Sequence, residues 1–321
     1  MILTTQQQTG ELSCCLSDVS PKDKPWDLHG LERDIVRDAY FLQGYLSHSQ
    51  RMSDCSQQLD FILRSSDELS LVFKLKSAKF CRVRYCPVCQ WRRSLKWRAR
   101  FFEALPSFLE DYPRLKFIFL TLTVKNCALE RLQLTVREMN KAWNKLVRRK
   151  QFPALGWLKS LEVTKSQDLE AHPHFHCLLV VPSDYFLDRS YISQSLWREW
   201  WRKSLKLNYD PVVNVKKVKP RFLTEEDPMG LMAAVCETLK YSVKPSNLIY
   251  DPGWLVGLTQ QMHRVRAINV GGILKPYLSD LEKDSDTEDL VHIDSELTEE
   301  ESKQAEVSFN WNSSIKRYVG S

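Results

Sequence analysis

Three of the seven histidines in this chain stand at alternate positions of one short segment: His172, His174 and His176. The segment leads into the apolar run 177–181, which is typical of a β-strand. Since successive side chains of a strand point to opposite faces, His174 and His176 lie on one face and Phe175 on the other. Two imidazoles on one face form a rigid pair that can bind a divalent metal ion. His172 is either a further ligand or a residue that orients the substrate.

A metal ion held by two histidines needs at least one further ligand, and we expect Glu162 to supply it. Glu162 lies in a strand-like segment, residues 160–164, and residues 165–171 that follow are turn-like. The two strands can therefore pair as a hairpin. Two histidines and a carboxylate favour magnesium or manganese over a closed structural zinc site. The alternative is that the histidines are surface or core residues that bind no metal.

A glutamate and a tyrosine at the end of a later helix have the chemistry to act on a phosphodiester. Glu237 and Tyr241 are four residues apart, so they share a helical face. A tyrosine hydroxyl can attack a phosphodiester and form a covalent intermediate, and a glutamate beside it can activate water. Lys244, one turn further, could neutralise phosphate charge. A pair at this spacing is usually part of a solvated helix face, so the spacing alone does not establish catalysis.

Cys81, Cys86 and Cys89 form a C-x4-C-x2-C block, and its last two cysteines have the spacing of a structural zinc site. Such a site needs a fourth ligand. We expect Cys55 to supply it, because a hairpin predicted around residues 60–75 would bring it near Cys81. Four thiolates would complete a closed tetrahedral zinc site. The alternatives are buried free thiols or a redox pair.

A basic, aromatic helix is predicted from Gln90 to about Asp111, directly after the cysteine block. Arginines of this helix and of the cysteine block could grip nucleic-acid phosphates, while Trp91 or Trp97 could stack on bases. These arginines are Arg82, Arg84, Arg92, Arg93 and Arg98. The alternative for each residue is a tryptophan in the core or an arginine on a solvated face.

The elements that would position these residues alternate along the chain. Strands are predicted near residues 117, 160, 178 and 215, and helices separate them. This order predicts an α+β fold in which helices cover one sheet. The helices are predicted at residues 129–150, 191–207, 229–241 and 249–266.

The charge of the chain is unevenly distributed. The formal net charge is +6, yet residues 280–306 contain twelve acidic residues against two lysines, which leaves about +16 on the rest of the chain. A positive charge of this size on the rest of the chain favours a polyanionic partner. The alternative is that the lysines and arginines only keep the protein in solution.

The chain has no apolar run near the roughly 18–20 residues of a membrane span. Its Thr- and Gln-rich start, Met1 to Gly10, lacks the apolar core of a signal peptide. We therefore expect a cytoplasmic protein with no membrane partner. In a reducing cytosol, the nine cysteines are metal ligands or buried apolar residues rather than a disulfide framework.

Together these motifs resemble the plasmid rolling-circle replication initiators of the HUH endonuclease superfamily. The resemblance is to the single-tyrosine branch, in which a glutamate lies one turn before the tyrosine. Three blocks carry it in the order of the family: residues 119–123, the histidine motif 172–176 and the tyrosine motif 237–244. The Pro25-Trp26-Asp27 entry and the cysteine block are also similar, so the resemblance covers roughly residues 25 to 250.

The resemblance implies a central antiparallel sheet flanked by helices, with an N-terminal zinc-binding knob. It implies a metal-dependent endonuclease and strand transferase that nicks one strand of the plasmid double-strand origin, in the single-stranded loop of a hairpin. Tyr241 would stay on the 5′ phosphate while the free 3′ hydroxyl primes synthesis, and Glu237 would support hydrolytic termination. A host helicase and a polymerase would be partners.

The expected domains are a flexible lead-in (1–25), a zinc-binding N-terminal region with the basic helix (26–112) and a nicking and joining domain (113–278). An acidic disordered linker (279–306) and a C-terminal tail (307–321) would follow, and residues 309–319 could return to the body. Three alternatives stay open: a transposase or relaxase of the same superfamily, a non-catalytic zinc-ribbon DNA-binding regulator, and an RNA-binding or RNA-processing factor.

Overall fold

The computed structural model describes residues 14–65, 71–187, 190–218, 230–240, 243, 248, 251–278, 290–293, 298 and 305–320. The helices in these residues are α1 (Leu16–Val19), α2 (Pro25–Leu42), α3 (Leu46–Ser53), α4 (Pro87–Asp111), α5 (Leu132–Val147), α6 (Gln194–Leu205), α7 (Gly230–Thr238), α8 (Pro252–Gln261) and α9 (Lys275–Leu278). The strands are β1 (Gln58–Ser65), β2 (Leu71–Ala78), β3 (Lys116–Thr123), β4 (Gly156–Lys165), β5 (Ala171–Val181), β6 (Val213–Val218), β7 (Ile268–Gly272), β8 (Glu306–Asn312) and β9 (Arg317–Gly320). Among these helices, none combines the length and the apolar character that a membrane crossing requires.

Five strands form an antiparallel sheet in the order β6-β3-β5-β4-β7, so β5 occupies its centre. The predicted hairpin is confirmed, because β4 pairs with β5 and Glu162 lies opposite His174. The four strands predicted near residues 117, 160, 178 and 215 all belong to this sheet. The edge strand β7 has no counterpart among the sequence predictions. The protein is therefore an α+β fold with an antiparallel sheet flanked by helices.

The alternation of side chains gives this sheet two different faces. On one face, Ile118, Phe175 and Leu179 pack with α5 and α6 in the larger apolar core. On the other face, residues such as Leu178 and Val180 pack against α4 and α7. At the far end of this second face, the apolar side chains give way to histidines and a glutamate. The helix α7 therefore lies beside the polar end of the sheet.

A second antiparallel sheet, in the order β2-β1-β8-β9, forms the N-terminal layer. The last two strands come from the C-terminus, and β8 pairs with β1 so that Phe309 lies opposite Leu59. Phe309 is fully buried against the rings of Phe61 and Phe73. Residues near the end of the chain therefore complete the core of the N-terminal layer.

Two segments pack into the body where the sequence predicts a flexible lead-in and a disordered linker. Within residues 1–25, Leu16 is fully buried in the main core. Within residues 279–306, Leu290 is fully buried and belongs to the same core. The physical reason is that single apolar side chains gain burial energy even where the average composition is polar or acidic. Most of the remaining residues of both segments lie outside the described residues.

Candidate active site

The pairing of β4 with β5 brings together the three residues that the sequence predicts as metal ligands. Glu162 lies opposite His174, and His176 lies two residues further along the same face of β5. In β3, on the other side of β5, Thr121 lies opposite His176. The three predicted ligands are buried. Because they stand on paired central strands, the backbone hydrogen bonds of the sheet fix their relative positions.

One carboxylate oxygen is shared by both histidines. The Oε2 of Glu162 lies 3.0 Å from His174 Nε2 and 2.8 Å from His176 Nε2. The Nδ1 of His174 lies 3.2 Å from the carbonyl oxygen of His172, to which an Nδ1–H can donate. That tautomer leaves the Nε2 lone pair facing the carboxylate, which is favourable only with a proton or a metal cation between them.

The donor atoms of Glu162, His174 and His176 fit one divalent ion. They all lie within 4.8 Å of one another. Neighbouring ligands of an octahedral ion with bonds of about 2.1 Å lie about 3.0 Å apart, which is close to the two oxygen–nitrogen distances. The second carboxylate oxygen, Oε1, is buried without a hydrogen-bond partner among the described residues, so a bound ion would satisfy it. Two imidazoles and a carboxylate therefore form a site that could hold a metal ion.

His172 is not part of this group of three donors. Its ring packs beside that of His174, with the ring centroids 5.2 Å apart. It is half-buried, and burial lowers the pKa of its imidazole, an effect to which the neighbouring His174 adds. Of the two candidates for the third ligand, Glu162 is the one that the structure brings to the histidine pair.

A lysine that belongs to none of the predicted sites completes the cluster. Lys240, just after α7, has its Nζ 2.7 Å from Glu162 Oε2 and 2.5 Å from Glu237 Oε1. Burial by itself would lower the pKa of Lys240, but hydrogen bonds to the two glutamates outweigh burial and raise it. Burial has the opposite effect on a carboxylate and would raise the pKa of Glu162. Hydrogen bonds from His174, His176 and Lys240 instead hold this pKa well below its ordinary value. Lys240 is three residues from Glu237 in the helix predicted at residues 229–241, and this spacing is the signal that could have identified it.

Glu237 lies at the edge of the cluster and is more open to solvent than its neighbours. Its side chain is 45% exposed, whereas that of Glu162 is 3% exposed. Its Oε1 lies 3.8 Å from His176 Nε2. The helix α7 therefore contributes one half-exposed carboxylate and, through the residues after it, one cation. Tyr241 and Lys244, the other two residues expected to be catalytic, lie outside the described residues.

The four cysteines of the predicted zinc site form a second buried cluster. The Sγ atom of Cys55 lies 3.7 Å from those of Cys86 and Cys89, and the Sγ of Cys81 lies 3.6 Å from that of Cys89. A disulfide would require about 2.05 Å. Four sulfurs around an ion with bonds of about 2.3 Å stand about 3.8 Å apart in a tetrahedron, which matches these distances. Cys55 is therefore the fourth member of the group, and the cluster could hold a metal ion.

The arginines expected to bind nucleic acid differ in their surroundings, and Arg92 does not fit that role. Arg92 is buried, and its guanidinium donates to the carbonyl oxygens of Leu290 and Val291. It also lies over the ring of Trp26, 5.3 Å from the centroid. The expectation of a phosphate contact is wrong for this residue, because its hydrogen bonds are used inside the chain.

Three of the other arginines are half-buried. Two of them donate a hydrogen bond to a backbone carbonyl, and the third has a buried nitrogen. Arg84 donates to the carbonyl oxygen of Val265, and Arg93 donates to that of Arg82. The Nε of Arg98 is buried without a hydrogen-bond partner among the described residues. These side chains, together with half-buried Arg82, keep part of their surface open to solvent.

The two tryptophans expected to stack on bases pack instead against protein side chains. Trp97 is buried in the smaller core between α4 and the sheet. Trp91 makes an edge contact with Trp26, with ring centroids 4.8 Å apart, and lies beside His29. Both rings therefore bury apolar surface inside the protein.

Comparison with known proteins identifies relatives along most of the chain. The family model described as "Replication protein" matches residues 72–319. The "Protein rep" of Streptococcus pneumoniae serotype 2 (strain D39 / NCTC 7466) is 33% identical over 305 residues, which covers 92% of both chains. The "Protein rep" of Lactiplantibacillus plantarum is 38% identical over 258 residues, or 76% of this chain and 81% of the relative. That of Bacillus amyloliquefaciens is 34% identical over 294 residues, or 86% and 85%. No solved structure matches the chain significantly.

Metal analysis of the purified protein tests the cysteine cluster. We expect about one equivalent of tightly bound transition metal per chain, because four buried thiolates form a closed site. Cys86→Ser should reduce this to less than about a fifth of an equivalent, measured by inductively coupled plasma mass spectrometry. Cys127→Ser is the matched control, since Cys127 is half-buried outside the cluster. Metal content unchanged in Cys86→Ser would contradict the assignment.

Titration with manganese tests the histidine site. Glu162→Gln keeps the size of the side chain but removes the charge, so we expect the affinity for Mn²⁺ to fall at least about tenfold in isothermal titration calorimetry. Asp168→Asn, in the exposed turn between β4 and β5, makes the same chemical change away from the site and should leave the affinity within about twofold. Equal losses in both variants, or none in Glu162→Gln, would refute the site.

Proposed function

This chain belongs to the replication protein family of plasmid rolling-circle initiators, and on that premise we propose that it nicks one strand of the plasmid double-strand origin. The observation that carries the proposal is the cluster of Glu162, His174 and His176, with Lys240 and Glu237 beside it. The proposed reaction forms a 5′-phosphotyrosyl link to DNA through Tyr241. It ends by hydrolysis or by rejoining of the strand.

Glu162, His174 and His176 would hold a magnesium or manganese ion. When bound there, such an ion polarises the scissile phosphate and stabilises negative charge on its oxygens. Glu162 is suited to bind such a cation, because the three cationic or hydrogen-bonding groups around it keep its carboxylate ionised. Lys240, a cation at the same carboxylate, would sit within reach of a phosphate oxygen and add to this neutralisation. Lys244 would serve the same purpose from one turn further along the chain.

Tyr241 is the proposed nucleophile because it directly follows Lys240 in the chain. Its hydroxyl oxygen would form a bond to the scissile phosphorus as the bond to the 3′ oxygen breaks. The DNA then carries a free 3′ hydroxyl, which can prime synthesis, and the 5′ phosphate stays on the tyrosine. Covalent catalysis of this kind conserves the energy of the phosphodiester, so the strand can be rejoined by the reverse attack.

Glu237 would end the cycle by activating water. Its carboxylate is half-exposed, so water can reach it, and its Oε1 lies 3.8 Å from His176 Nε2, at the edge of the proposed metal site. The carboxylate would take a proton from water as the water oxygen attacks the phosphotyrosyl phosphorus. The bond to the tyrosine oxygen then breaks, and the DNA is released.

The cysteine cluster and the basic surface have supporting roles in this proposal. Cys55, Cys81, Cys86 and Cys89 would hold a structural zinc ion, which four sulfur ligands favour. Exposed parts of Arg82, Arg84, Arg93 and Arg98 would contact phosphates of the origin hairpin. In this proposal the chain acts as an HUH endonuclease, and a host helicase and polymerase would act after the nick.

A cleavage assay tests the nucleophile. A single-stranded origin oligonucleotide is incubated with the protein and Mn²⁺, and covalent adducts are resolved on a denaturing gel. Tyr241→Phe should abolish the adduct because it removes the attacking oxygen, and EDTA should abolish cleavage. Tyr191→Phe, at a half-exposed tyrosine on another part of the chain, is the matched control and should form normal adduct. An adduct in Tyr241→Phe would exclude this nucleophile.

A second assay separates nicking from release. Glu237→Gln should keep the nicking rate within about threefold but lower the hydrolysis of the phosphotyrosyl intermediate by at least about 100-fold, because the general base is lost. The measurement is a single-turnover time course of adduct formation and decay. Loss of nicking together with hydrolysis would assign Glu237 to the first step instead.

A further inference from the structure

A cavity of about 720 Å³ lies on the face of the central sheet opposite the histidine cluster. Its walls come from α5, from β4 and from the segment that leads into β7. Lys159 reaches it from β4, where side chains of odd number point away from Glu162. The volume is within the range of about 300–1,000 Å³ that is usual for small-molecule sites. No step of the proposed nicking reaction uses this cavity.

The floor of the cavity holds a buried cation. Lys159 is 2% exposed, its Nζ donates to Asn140 Oδ1 at 2.7 Å, and it lies 3.8 Å from the centroid of the Phe175 ring. Among the described residues, no carboxylate forms an ion pair with it. Burial lowers the pKa of Lys159 to about 8. A buried ammonium without a counter-charge is unfavourable, and an anionic ligand would relieve that cost.

The rim adds further positive charge. Arg137 on α5 and Arg264 and Arg266 before β7 line the cavity and are exposed. None of the described residues that line it is acidic. In the part of the chain that is described, Arg137 and Arg264 take part in no ion pair. The potential in the cavity is therefore positive from floor to rim, which favours a ligand that carries phosphate.

The backbone of the rim is held in place from the N-terminal layer. Arg84 donates to the carbonyl oxygen of Val265 at 2.7 Å. Arg264, beside Val265, has a φ of 55°, in the left-handed region that favours glycine. An arginine in this conformation is positioned by its surroundings rather than by its own preference. The cationic rim is therefore built into the fold.

One wall of the cavity offers contacts that a nucleobase requires. Trp157 is half-buried and lines the cavity, so part of its indole is available for stacking. Asn144 and Asn269 line the same cavity and carry amide groups that can donate and accept hydrogen bonds. Cations for a phosphate, an aromatic ring for a base and amides for its edge occur together here.

We propose that this cavity binds a nucleoside 5′-phosphate, with the phosphate at Lys159, Arg137 and Arg264 and the base along Trp157. The unit is either a free nucleotide or one residue of a single DNA strand. In the second case, the protein holds the strand at a further point on the side of the sheet away from the cleavage site. The proposal does not depend on Tyr241 or on the metal site.

Two probes carry 5-iodouracil, which forms covalent bonds with stacked aromatic residues on irradiation. One is 5-iododeoxyuridine 5′-monophosphate, and the other is a hexathymidylate with a single iodouracil. After crosslinking and trypsin digestion, mass spectrometry should find the label on the peptide of residues 151–159, which contains Trp157. Labelling by the mononucleotide identifies a free-nucleotide site, and labelling by the hexamer alone identifies a strand site; both support the proposal.

Affinity measurements with variants complete the test. Arg137→Glu and Arg264→Glu change exposed residues of the rim, so the fold should tolerate them. Each should weaken binding of the probe that labels the peptide at least about tenfold. Lys159→Met removes the buried charge and should do the same.

Arg148→Glu, at an exposed arginine at the end of α5 outside the cavity, is the matched control, and its affinity for the probe should stay within about twofold of wild type. No label on residues 151–159, or equal losses in Arg148→Glu and the rim variants, would overturn the proposal.

Discussion

The contact on which the active-site cluster depends is the one shared oxygen of Glu162. A buried carboxylate costs several kcal/mol unless a cation and hydrogen-bonding groups surround it. Here the oxygen meets the imidazoles of His174 and His176 and the ammonium of Lys240 within 3.0 Å. This arrangement requires the register of β4 with β5, because a slip by one residue would turn Glu162 to the apolar face. It also requires the end of α7, which delivers Lys240. The carboxylate of Glu162 therefore links the central sheet to the end of α7.

The cysteine cluster imposes the second constraint, on the N-terminal layer. Cys55 follows α3, and the other three cysteines precede or begin α4, so one ion would tie both helices to the same point. The C-terminal strands β8 and β9 then extend the sheet of β1 and β2. The same layer reaches the central sheet through Arg84, which binds the backbone before β7. The central sheet therefore has the histidine cluster on one face and the cationic cavity on the other, and the N-terminal layer contacts the backbone beside that cavity.

Much of the site could be predicted from the sequence because it depends on local spacing. Alternation along a strand and a short turn were enough to pair Glu162 with the histidines, and hairpin length was enough to add Cys55. Residues whose role depends on tertiary contacts were either not identified or given the wrong role. Lys240 joins the cluster only because α7 packs over the sheet, and Arg92 is buried by a distant segment. The strand Ile268–Gly272 ends in two glycines and lacks an apolar run, so only its pairing with β4 defines it.

The residue that becomes attached to DNA identifies the nucleophile directly. Wild-type protein is incubated with a cleavable single-stranded origin oligonucleotide and Mn²⁺, digested with protease and nuclease, and analysed by tandem mass spectrometry. We expect a nucleotide on the peptide that contains Tyr241, and on no other tyrosine. Attachment at a different residue, or cleavage with no covalent peptide at any time point, would contradict this expectation.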